Sequence, residues 1–139
     1  MFYSQNIREL RQYYKTAWNK KLKKENLSDL EKNICYVIEL HPEYHQMLNM
    51  ETLETNFTDN NPYLHLGLHL AIQEQIKTNR PNGIKNVYIA LLKKYTSHQT
   101  EHALMEILEN TLHTAIKNNH EPDEKVYLQA CEELLHKLI

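Results

Sequence analysis

Apolar residues recur at three- and four-residue intervals along most of this chain, and that period, with no alternating stretch to rival it, confines the fold to packed α-helices. Ile7, Leu10, Tyr14, Ala17 and Trp18 form the first such stripe, on a helix expected to start after Ser4 and end near Leu22. Ser28-Asp29-Leu30-Glu31 then reads as a capping box. The helix it opens carries Leu30, Ile34, Val37, Ile38 and His41 along one face, which directs His41 toward the core. Pro42 suits a first helical position, so a short helix to about Asn49 places His45 in its opening turn. The segment Glu51 to Asn60 is polar, with scattered Leu53 and Phe57.

Asn61-Pro62 repeats the cap-then-proline signal and opens the most apolar helix, to about Thr78, in which His65 and His69 are the only strongly polar residues between Tyr63 and Ile72. Arg80-Pro81-Asn82-Gly83 is a break. Ile84, Val87, Tyr88, Leu91, Leu92 and Tyr95 mark the next helix. Thr96 and Ser97 cap another from His98 to about Lys117, with Leu104, Ile107, Leu108, Leu112 and Ala115 on its apolar side. The last helix runs from about Asp123 to Leu138, with Tyr127, Cys131, Leu134 and Leu138 facing inward. The expected architecture is all-α: a compact bundle of about five main helices plus one or two short ones, forming a single domain over residues 1–139.

Composition agrees. Two glycines and four prolines in 139 residues leave little for hairpins. A chain of this length can bury roughly 65–70% of its unfolded surface, enough for a helical core without a disulfide. The formal net charge of −2 argues against a dedicated nucleic-acid surface. The cluster Lys15, Lys20, Lys21, Lys23 and Lys24 reads as a solvated helix end. Cys35 and Cys131 fall among apolar helical positions, as small hydrophobes in a reducing compartment. Met1 to Arg11 shows no apolar signal core, and no stretch has the length of a membrane span. The expected location is the cytosol, with no membrane partner; a homo-oligomer stays open.

The chemistry lies in the histidines. There are nine, and three pairs stand four apart: His41 with His45, His65 with His69, and His98 with His102. Shuffling this composition gives on the order of half such a pair, so three ask for a cause. On a helix this spacing stacks two rings on one face, close enough to share a metal. His65 and His69 are the strongest pair, because burying both without partners costs on the order of 1–3 kcal/mol each. A metal, carboxylates or backbone carbonyls would satisfy them. Pro42 interrupts the first pair, where capping and packing compete with ligation, although a nearby helix N-terminus favours the neutral, ligating imidazole. His98 and His102 continue through Glu106 and Glu109 to His113 as a polar ridge beside the apolar stripe. Such a ridge is most often solvated.

His41-Pro-Glu-Tyr-His45, the run Asn61 to Gln75, and Glu101-His102 followed by Met105 and Leu108 resemble a bacterial family known as domain of unknown function 1841. The resemblance runs from the N-terminal helix to Asp123-Glu124 and Tyr127, and its middle motif is long and specific. It implies a small bacterial protein and carries over no activity and no catalytic residue. Family members tend to have an aromatic where this chain has His113, which is therefore left outside the site.

The expectation is a helical bundle binding a divalent transition metal (Zn, Fe, Mn or Ni) through His65 and His69, with His41, His45, His98, His102 and Glu106 as further candidate ligands. Three histidines and an open position would make hydrolysis or group transfer conceivable. His65-Leu-Gly-Leu-His69 lacks the glutamate of zincin proteases, and Glu133-Leu-Leu-His136 alone fits the Glu-x-x-His motif of di-iron bundles. The alternative is a non-enzymatic interaction or structural module whose histidines form a buried hydrogen-bonded network. A third option is anion binding at the helix starts of Pro42 and Pro62.

Overall fold

Serine, threonine, asparagine and aspartate side chains open most of the helices in the computed structural model, which describes residues 2–49 and 61–138. The order is α1 (Phe2–Leu22), α2 (Asp29–Glu39), one 3₁₀ turn (Pro42–Tyr44), α3 (His45–Asn49), α4 (Pro62–Thr78), α5 (Ile84–Leu91), α6 (Ser97–Lys117) and α7 (Glu124–Leu138). No strand occurs among the described residues, so the fold is all-α as the periodicity predicts. None of these helices is long and apolar enough to cross a membrane. The predicted segment with Leu53 and Phe57 lies outside the described residues, as do the side chains of Ile7 and Leu138. Two compact units divide the chain, Met1–Leu70 and Ala71–Ile139, with the boundary inside α4.

In the first unit α1 packs along α2, and α3 returns onto α1. α1 is already running at Phe2, so Ser4 does not cap it. Tyr14, Ala17 and Trp18 are buried as the stripe predicts, but Leu10 is 52% exposed and Arg11 is buried in its stead. The cause is aromatic. The Arg11 guanidinium lies 4.7 Å from the centre of the Tyr63 ring, which also stacks on Tyr14. The backbone at Gly67 passes close to this group: a Cβ there would meet the Tyr14 hydroxyl at 3.6 Å, an ordinary contact.

The capping box of α2 forms as predicted. Ser28 Oγ accepts from the Glu31 amide at 3.1 Å, and Glu31 Oε1 accepts from the Ser28 amide at 2.9 Å. Glu31 also pairs with Lys20 of α1 at 2.9 Å, and Lys21 pairs with Glu39. Because Glu31 serves both the cap and α1, it takes the buried position expected of Leu30, which is 50% exposed. Ile34, Val37 and Ile38 are buried on α2, and the Cys35 thiol donates to the Ala17 carbonyl at 3.3 Å.

In the second unit α7 packs on both α5 and α6. Asn79, at φ 52°, ends α4 and turns its side-chain oxygen to the amides of Gly83 and Lys85, 3.1 Å from each. Gly83 takes φ 108°, a conformation open to glycine, and α5 buries Ile84, Val87 and Leu91. That helix stops at Leu91, leaving Leu92, part of the predicted stripe, 39% exposed. Thr96 and Gln99 form a second capping box, extending α6 to Ser97. Asp123 caps α7 by accepting from the amides of Lys125 and Val126, so the helix proper starts one residue later than predicted. The Tyr127 hydroxyl donates to Gln75 at 2.6 Å. Cys35 and Cys131 are both free and buried, and burial pushes the Cys131 thiol up to about 11.

The two glycines should respond oppositely to alanine. Gly83→Ala should lower stability by about 1 kcal/mol through its positive φ, whereas Gly67→Ala should raise it by about 0.5–1 kcal/mol in mid-helix, both read from urea unfolding. Glu31 yields a pH dependence. The Ser28 backbone amide and then Lys20 hold its carboxyl below the ordinary range. Its contribution is therefore present above the unfolded carboxylate pKa of about 4 and is lost as pH falls through the lower folded value. Glu31→Gln should flatten the fall of melting temperature below pH of about 5; an unchanged acid limb would refute this role.

Candidate metal centre

Proline disfavours helical backbone in the residue before it, and at Pro42 this sets the geometry of the site. α2 ends at Leu40, and His41 takes φ −128° and ψ 70° outside the helix. Its ring turns back under the last turn of α2, only 4% exposed, with Nδ1 2.8 Å from the Val37 carbonyl. A carbonyl only accepts, so Nδ1 donates to it, and Nε2 is the nitrogen placed to ligate a metal.

That nitrogen meets α4. Asn61 opens this helix by accepting from the amides of Tyr63 and Leu64, and His65 and His69 follow one turn apart on a common face. His69 is fully buried and His65 half-buried. The rings stand edge-on, with centroids 4.6 Å apart for His41 and His65, 4.9 Å for His41 and His69, and 4.8 Å for His65 and His69. His65 Nε2 lies 2.9 Å from His41 Nε2 and 3.2 Å from His69 Nε2. Tyr44 lies parallel to His41, 5.1 Å away, and edge-on to His65, forming an aromatic wall. Burial, and then Glu43, pushes its phenol up.

Proton accounting defines what this arrangement can do. An imidazole nitrogen either carries hydrogen and donates or carries a lone pair and accepts. In the tautomer with His41 Nε2 as acceptor, His65 Nε2 donates, and its one hydrogen faces two nitrogens. A divalent ion could instead take all three lone pairs together. Zn–N bonds of about 2.0–2.1 Å at angles of about 90–109° put donor nitrogens about 2.8–3.4 Å apart, a range that contains the observed 2.9 and 3.2 Å.

The other sequence candidates have different surroundings. His45 Nε2 lies 3.1 Å from the Ile38 carbonyl, and its ring packs on Trp18 at 4.6 Å. It fastens α3 to α1 and α2 instead of facing His65. In the second unit His98 is half-buried and edge-on to the more exposed His102, with centroids 4.2 Å apart, and Glu106 is exposed one turn on. His113 is exposed, 3.7 Å from Glu109. Glu101, absent from the predicted ligands, is 4% exposed and accepts from Gln73 at 3.0 Å. Its position three and four residues before Leu104 and Met105 was the available signal. Nothing in the helical period marks Tyr44 as a wall for His41, since a 3₁₀ turn separates them.

No curated protein and no solved structure matches the chain. A family match does exist, over residues 6–133 of the 139, and it spans His41, His45, His65, His69, His98 and His102. The chain therefore belongs to the family described as Domain of unknown function (DUF1841).

Proposed function

We propose that this protein binds one divalent transition metal through Nε2 of His41, His65 and His69. Convergence of three imidazole nitrogens, one with its tautomer set by the Val37 carbonyl, carries the proposal. Imidazole donors suit Zn, Fe and Ni, whereas Mn prefers oxygen. A metal held this way can act as a Lewis acid, the property that hydrolysis or group transfer would use. Two free, buried cysteines fit a reducing compartment, and the cytosol is the location we assign.

A hydrogen-bonded histidine network is the second reading, favoured by the 2.9 Å separation of His41 and His65, a hydrogen-bond length. Full-length protein purified without a histidine tag separates the two. Metal binding predicts one metal ion per chain by elemental analysis and a melting temperature about 5 °C or more lower after chelation. Alanine at His41, His65 or His69 should weaken binding by at least ~10–100-fold, the loss caused elsewhere by outer-shell changes alone. Chelation should then add nothing to the loss of stability. His45→Ala should lower stability by about 1 kcal/mol and leave metal affinity within about threefold, because its bond goes to Ile38. Absence of metal, with no response to chelation, would overturn the proposal in favour of the network.

A further inference from the structure

The second unit, Ala71–Ile139, holds two cavities for which the metal proposal has no use. The larger, about 400 Å³, lies between α6 and α7, where Ile107, Val126 and Ala130 give it apolar walls. The smaller, about 210 Å³, is bounded by the end of α4 and the start of α7, and it is charged. Thr111 and Asp123 line both, so the two lie side by side. The larger alone falls within the range of small-molecule sites, about 300–1,000 Å³.

Opposite charges enter the smaller cavity from different elements. Arg80 follows α4, whereas Asp123 and Glu124 open α7. Tyr127, 3% exposed, donates to Gln75 Oε1 at 2.6 Å, which holds the Gln75 amide in place and leaves its Nε2 hydrogens to the cavity. Asp123 Oδ1 is taken by the amides of Lys125 and Val126, so Oδ2 is the acceptor that remains. Among the described residues no side chain pairs with the Arg80 guanidinium or the Glu124 carboxylate. Gln75 and Arg80 thus offer donors and positive charge, Asp123 and Glu124 offer acceptors and negative charge, and an apolar cavity adjoins them.

We infer that this groove binds a small amphipathic zwitterion, an α-amino acid with an apolar side chain. Its carboxylate accepts from Arg80 and Gln75, its ammonium donates to Asp123 and Glu124, and its side chain enters the larger cavity. A ligand of one charge only meets repulsion from one of the two sets. The site shares no residue with the histidine cluster and needs no metal.

L-Phenylalanine is a suitable probe, set against phenylalanine amide, which lacks the carboxylate, and N-acetylphenylalanine, which lacks the ammonium. Calorimetric titration of the full-length protein should show saturable binding of phenylalanine at one site per chain, and each derivative should bind at least about tenfold more weakly. Arg80→Gln should remove the preference for phenylalanine over its amide, and Glu124→Gln should reduce the preference over the N-acetyl derivative. Ala130→Leu, which fills the larger cavity, should weaken phenylalanine binding at least about tenfold, with an unchanged helical circular dichroism spectrum. Absence of saturable phenylalanine binding, or equal binding of all three compounds, would overturn the inference. Binding that survives the three substitutions unchanged would place the ligand elsewhere and overturn it as well.

Discussion

One hydrogen bond, from His41 Nδ1 to the Val37 carbonyl, sets the chemistry of the first unit. It exists because α2 stops before Pro42: a continuing helix would use that carbonyl for the amide of residue 41. The bond gives the Val37 carbonyl, which also accepts from the Leu40 amide, a second donor and settles which nitrogen of His41 faces α4. Capping and site formation are thus one event in this chain. The proline that breaks the helix prepares the ring.

Much of the fold is legible in the sequence because it is written locally. The Ser28–Glu31 and Thr96–Gln99 boxes, the Asn61-Pro62 start and the Asn79–Gly83 turn each involve residues a few positions apart. Where the stripes mislead, a contact distant in sequence decides. Arg11 displaces Leu10 from the interior because Tyr63 offers its ring face, and Glu31 displaces Leu30 because Lys20 draws its carboxylate onto α1. Periodicity records which face of a helix is buried but not which neighbour can satisfy a charge there.

The candidate site shows the same division. His65 and His69 follow from spacing, since α4 is unbroken between them. His41 and His45 share that spacing without sharing a purpose, because the 3₁₀ turn between them rotates one ring toward α4 and the other toward Trp18. A histidine three residues after a helix-opening proline occurs twice, yet the residue before Pro42 joins the cluster and the one three after it does not. Glu101 was hidden by its charge: its helical phase belongs to the core, and Gln73 gives it a partner there.

The approach of His41 to His65 has a topological consequence. The two residues are 24 apart in sequence, and a metal joining them would turn the intervening chain into a closed ring. Closing a ring of that size removes conformational freedom from the unfolded chain, much as a disulfide does, without needing an oxidant. Both cysteines of this protein are free, one in each unit, so no disulfide staples the first unit. Histidine would then give the first unit a cross-link that survives reducing conditions and comes undone when the metal leaves.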